Sequence, residues 1–194
     1  MNLTALLIAV AIGLLLAETR LSAGNAARLR EQGAVLPPGD VYALMRVLYP
    51  AAFVCMGAEG LWRAAAASAG PLPAGAPSFV LSGIVLFAAS KALKYWAIAT
   101  LGERWTFRVW VRPGAPLLQT GPYRYIAHPN YLAVMGELAG TAMMMRARVA
   151  GPMFVVAFGL VLLARIRFEA RVHGEYGNAA AGAVRPPDNH AGTD

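Results

Sequence analysis

The chain is poor in the residues that staple or wire a soluble enzyme. A single cysteine, Cys55, stands among 194 residues, which excludes an intrachain disulfide and a thiolate metal cluster. It lies within an apolar run, where cysteine behaves as a small hydrophobe. The three histidines, His128, His173 and His190, have no zinc-like spacing, so no metal is expected. Charge is scarce too: Asp, Glu, Lys and Arg make up 14% of the chain, against about 25% in soluble domains. All but two of the 17 basic residues are arginine, the exceptions being Lys91 and Lys94. Missing as well are a Gly-x-Gly-x-x-Gly following a strand, a P-loop and a Gly-x-Ser-x-Gly. Their absence removes the usual dinucleotide, nucleotide and serine-hydrolase signatures.

What the chain does have is oil. Hydrophobic residues reach 58% and mean hydropathy is +0.51, which predicts one compact all-α integral membrane protein. The net charge of +7 comes from arginines scattered between apolar runs. That pattern suits an anionic membrane surface, and no nucleic-acid partner is expected.

Five apolar stretches read as spans. The first runs from Leu3 to Ala17; with Glu18-Thr19-Arg20 after it instead of a small-residue cleavage site, it reads as a span and not a signal peptide. A polar connection, Glu18 to Asp40, closes with Pro37-Pro38-Gly39. The second span covers Val41 to Trp62, and a small-residue loop, Ala64 to Pro77, leads to the third, Ser78 to Leu101. Lys91 and Lys94 lie near its far end, where snorkelling to the interface is expected. The fourth and fifth, Asn130 to Met145 and Met153 to Leu163, are short and read as a tight hairpin, with Gly136 and Gly140 at small-xxx-small spacing. A polar tail follows from Arg165, with disorder expected over 178–194. Arginines concentrate in alternate segments: Arg20, Arg28 and Arg30; then Arg104, Arg108, Arg112 and Arg124; then Arg165, Arg167, Arg171 and Arg185. The positive-inside rule places these on the cytoplasmic side of a bacterial-type inner membrane, with five crossings.

Chemistry is expected in the polar stretch 102–130, since lipid cannot satisfy an irregular backbone. His128-Pro129 suits a helix start, because proline lacks only an amide that has no helical partner there. Glu137 lies two turns further and is expected to pair with an arginine. Arg165 and Glu169 stand four apart on one helical face, the spacing of a surface ion pair.

Leu118-Gln-Thr-Gly121-Pro-Tyr123-Arg-Tyr-Ile-Ala-His128-Pro129-Asn130-Tyr131, followed by the hairpin and Arg165-x-x-x-Glu169, resembles the signature of the isoprenylcysteine carboxyl methyltransferase family over residues 101–177. The upstream Leu101-Gly-Glu-Arg-Trp-Thr-Phe-Arg108-Val is most similar to a bacterial subgroup associated with type III polyketide synthases, which O-methylates alkylpyrones or alkylresorcinols. The resemblance implies a methyltransferase core at 101–177 behind an N-terminal membrane part at 1–100, and a cytosolic-side pocket built from 102–130 and the C-terminal helix. It implies S-adenosylmethionine as cofactor, bound by Arg108, Ala115, Pro116, Leu117, Leu118, Tyr123, His128, Pro129, Asn130, Tyr131 and Glu169. Arg165 would face the acidic group of a lipophilic acceptor drawn from the membrane, with His128 as candidate base. Ala127 stands where the family carries an arginine, and Ala170 where many members have a second glutamate. These departures leave the methyltransferase reading intact and weaken the claim for a prenylcysteine acceptor, which stays open beside an alkylpyrone, an alkylresorcinol or another lipid. Two other readings are an NADPH-dependent reductase related to sterol reductases and a non-enzymatic membrane protein.

Overall fold

The computed structural model describes residues 3–66, 75–112 and 118–183. Five helices follow in order: α1 (Leu3–Glu31), α2 (Tyr42–Ala66), α3 (Ala76–Leu101), α4 (Pro129–Met144) and α5 (Ala150–Ala183). Short 3-10 turns at Gly102–Arg104 and Gly121–Arg124 punctuate the stretch between α3 and α4. Among the described residues the extended pairing is one bridge, in which Val35 and Val111 exchange amide–carbonyl bonds at 2.8 Å. It pins the α1–α2 connection to the polar stretch.

The helices α1, α2 and α3 are each long and apolar enough to cross a bilayer. At ~1.5 Å per residue, the 16 residues of α4 reach about 24 Å. That is less than the ~30 Å hydrocarbon core. Five expected spans thus correspond to five helices, three of which satisfy length and composition unaided.

Two helix ends differ from expectation. α1 continues well past Ala17, because Glu18 to Glu31 contains no proline and its polar side chains find partners in the protein. Glu18, Ser22 and Asn25 are all buried. The turn comes at Gly33, whose φ of 78° is open to glycine without a Cβ penalty. At the other end, the span expected to end near Leu163 and the C-terminal helix expected to carry Arg165 and Glu169 are one continuous helix, α5. The expectation for the chain beyond Ala183 lies outside the described residues, as does that for 67–74.

Glycines set how closely the helices meet. A Cβ on Gly140 would lie 2.8 Å from the Phe87 amide nitrogen, and one on Gly83 2.7 Å from Met143 Cβ. α3 and α4 therefore touch backbone to backbone. The turn between α4 and α5 rests on the end of α2. There Glu59 accepts from the amides of Arg148 and Ala150 at 2.8 Å, capping α5 from outside. Between these contacts Phe53 and Met56 of α2, Leu138 of α4 and Phe154, Phe158 and Leu162 of α5 form the core.

The lysines do not snorkel. Lys91 Nζ lies 2.7 Å from Glu18 and 3.0 Å from Glu137, and Lys94 Nζ 2.6 Å and 3.3 Å from the same carboxylates. All four side chains are buried, and the Tyr49 hydroxyl donates to Glu137. Carboxylates from α1 and α4 bring counter-charge to the lysines, so the ammonium groups need not reach for water. Glu137 accordingly pairs with lysine, not with the arginine expected.

Candidate active site

The site is built where α4 begins and α5 approaches its charged half. His128 caps α4 and Pro129 occupies its first turn, so Asn130 and Tyr131 enter the helix directly. The His128 and Tyr131 rings stack at 5.2 Å with 15° between their planes. Opposite them, α5 presents Arg165 and Glu169 on one face. The Tyr131 hydroxyl donates to Glu169. His128 Nδ1 lies 3.7 Å from the other carboxylate oxygen of Glu169. Tyr123 faces the same carboxylate; burial and the Glu169 charge push its hydroxyl up to about 12.

Arg165 is the centre of this arrangement, and it is 3% exposed. Its Nε donates to Glu169 at 3.2 Å and to the Tyr131 hydroxyl at 3.3 Å. Its Nη2 donates to the Phe107 carbonyl at 2.9 Å, and its Nη1 to Asp40. Asp40 was not foreseen as a site residue. It follows the Pro-Pro-Gly breaker and reads locally as the end of a turn. Its partner stands 125 positions away. Scarcity was the available signal: with ten acidic residues in an oily chain, each carboxylate calls for a partner.

The irregular stretch is held by α1. Ser22 accepts from the Phe107 amide at 2.8 Å, and Asn25 donates to the Trp105 carbonyl at 2.8 Å. Trp105, buried, donates in turn to Asn130 at 3.3 Å. Val109 and Val111 pack on Phe168 and Val172 of α5. Of the residues singled out from the sequence, His128, Tyr131, Glu169, Arg165 and Tyr123 are thus brought together. Asn130 is tied in through Trp105, Pro129 is buried and Leu118 is half-buried. Arg108 is placed elsewhere, its guanidinium over the Tyr42 ring at 5.7 Å, where it lines a cavity of about 130 Å³ with Ser22 and Trp110. Ala115, Pro116 and Leu117 lie outside the described residues.

From His128 and Tyr131 an apolar groove of about 570 Å³ runs between α4 and α5, walled by Leu132, Met135, Val155, Gly159 and Leu163. Leu132 and Leu163 are more than half exposed, so the groove opens sideways. Among the described residues no cluster of histidine, cysteine or carboxylate groups suits a metal ion. The arrangement can hold a cation beside stacked rings and a carboxylate, and a hydrocarbon chain next to it.

Residues 82–172 match the model of the isoprenylcysteine carboxyl methyltransferase (ICMT) family. YpbQ, an uncharacterized protein of Bacillus subtilis, is 30% identical over 172 residues, spanning 88% of this chain and 96% of its own. An uncharacterized protein of Haemophilus influenzae is 26% identical over 88 residues, 45% of this chain and 51% of its own. No solved structure matches. The matched family segment starts within α3, so Ser22, Asn25 and Asp40 precede it.

Proposed function

Because this chain belongs to the isoprenylcysteine carboxyl methyltransferase family, and is therefore a membrane methyltransferase, we propose that it transfers the methyl group of S-adenosylmethionine to an acidic oxygen of a lipophilic acceptor. The observation that carries this reading is the junction of two unlike environments. A polar cluster meets an apolar groove at His128 and Tyr131. A water-soluble donor and a membrane-borne acceptor need such a junction.

The residues present fit the donor. Asp40 and Glu169 set two carboxylates against the one buried guanidinium of Arg165. The negative charge left over, next to stacked rings, suits a sulfonium, for which the aromatic faces contribute roughly 0.5–2 kcal/mol. Bound there, S-adenosylmethionine supplies a methyl group already activated for transfer. What the chain adds is alignment and electrostatics. The groove between α4 and α5 holds the acceptor's hydrocarbon and aims its oxygen at the His128 end. His128 takes the proton of that oxygen, and Glu169 beside it stabilises the imidazolium so formed. Tyr123, Asn130 and the 115–118 segment complete the proposed cofactor set. The concentration of arginines in this part of the chain supports a site on the cytoplasmic face of the inner membrane.

Calorimetry on detergent-purified protein tests the reading. S-adenosylhomocysteine is expected to bind and NADPH not to; the reverse result would replace a methyltransferase with a reductase. Glu169→Ala is expected to abolish S-adenosylmethionine binding while the protein stays monodisperse. Unaltered binding in that variant rejects the pocket.

A further inference from the structure

We propose that Asp40 is a positioning residue: by neutralising Arg165 it leaves the charge of Glu169 free to face a cationic ligand. This rests on the methyltransferase reading. It concerns a residue of the α1–α2 connection, before the segment that matches the family.

The geometry is specific. Arg165 and Asp40 are 3% and 2% exposed at their side chains, and Arg165 Nη1 donates directly to Asp40 Oδ1. Asp40 is itself aimed. Its Oδ1 also accepts from the Tyr42 amide at 3.0 Å, and its Oδ2 from the Val109 amide at 3.4 Å. Each nitrogen of the guanidinium has an acceptor: Asp40 on one side, the Phe107 carbonyl on the second, Glu169 and Tyr131 on the third. Buried ion pairs are screened little by solvent, so the distribution of partners around one arginine decides where net charge remains.

Two carboxylates share one cation here. With Asp40 in place, Arg165 is balanced from the buried side, and Glu169, whose side chain is 19% exposed, carries the surplus negative charge toward the site. Without the Asp40 charge, Arg165 has Glu169 as its sole carboxylate among the described contacts. The pair then neutralises itself, and a ligand's positive centre loses its counter-charge. Arg171, whose guanidinium sits over the Phe168 ring at 5.5 Å and beside Gly39, is the other cation near Asp40; it lies on an exposed part of α5, where solvent weakens its charge.

A purely structural Asp40 and a charge-setting Asp40 predict different things for two ligands of one shape. Sinefungin carries an amine-bearing carbon, cationic at neutral pH, where S-adenosylhomocysteine has a neutral sulfur. The experiment is calorimetric titration of the full-length protein with both compounds, alongside thermal unfolding. Asp40→Asn keeps the shape and removes the charge. It is expected to weaken sinefungin by about tenfold and S-adenosylhomocysteine by no more than about twofold, the signature of a lost charge. Asp40→Glu, which keeps the charge, is expected to preserve the wild-type ratio of the two affinities even if both weaken. Equal weakening of the two ligands in Asp40→Asn, no weakening, or a changed ratio in Asp40→Glu overturns the proposal. Should Asp40→Asn not fold, the ratio in Asp40→Glu decides alone. Wild-type protein that binds neither compound refutes the methyltransferase reading itself, a separate outcome.

Discussion

Tyr131 joins the aromatic and the charged parts of the site through one side chain. Its ring stacks on His128 while its hydroxyl donates to Glu169 and accepts from Arg165. Tyr131→Phe keeps the stack and deletes both bonds. We expect kcat/KM to fall about tenfold, the value of one or two charge-assisted bonds, in a radiolabelled-methyl assay on membrane lipid extract. An unchanged kcat/KM would show that the hydroxyl takes no part. Tyr123 gives a pH signature. Its raised pKa means the folded state keeps the proton, so the stability it contributes is complete below the ordinary tyrosine range near pH 10. That contribution is lost as pH climbs through about 12. Alkaline difference spectra should contain a tyrosine step near 12 that Tyr123→Phe removes. At this scale local rules gave a helix start at His128-Pro129 and an i,i+4 pair of Arg165 and Glu169, whereas the meeting of the two was implied only by the family resemblance. Asp40 was not, because its partner lies on a distant helix and its neighbours say only that the chain turns.

Helices were legible as apolar runs, and their ends were not. Glu18, Ser22 and Asn25 look like loop residues because polar side chains ordinarily mean water. In this fold each is covered by a part of the chain made later: the lysines of α3 for Glu18, the 102–107 stretch for the other two. The spacing of Gly136 and Gly140, by contrast, did announce a close approach, and the α3–α4 contact has the backbone proximity it implies. Gly140→Leu puts a side chain into the Phe87 backbone and should cost on the order of 1–3 kcal/mol by overpacking. The measurement is a lowered thermal midpoint in detergent. Full stability in that variant would mean that α4 can shift outward freely.

Across the whole molecule, one buried charge cluster ties four helices. Glu18 comes from α1, Tyr49 from α2, Lys91 and Lys94 from α3 and Glu137 from α4. Two lysines against two carboxylates leave no net charge, which is the condition under which apolar surroundings tolerate ions. Lys94→Met breaks that balance and should destabilise by about 3–5 kcal/mol, the cost of an uncompensated buried charge. Adding Glu18→Gln should recover much of the loss, as read from thermal midpoints of the single and double variants. A mild single variant would mean that water or protons reach the cluster. None of this was visible as a network in the sequence, where the lysines read as interfacial, Glu18 as the start of a polar connection and Glu137 as the partner of an arginine.

The bond between Asp40 and Arg165 also has a consequence in time. A ribosome delivers the chain from its N-terminus, so Asp40 emerges 125 residues before the guanidinium that will cover it. Until α5 arrives, the first helices wait with that carboxylate bare, and the groove has only one wall. Closing the cup is therefore a late act of biogenesis, and a nascent chain halted after His-Pro-Asn-Tyr would own its best-known letters and still have no place to work.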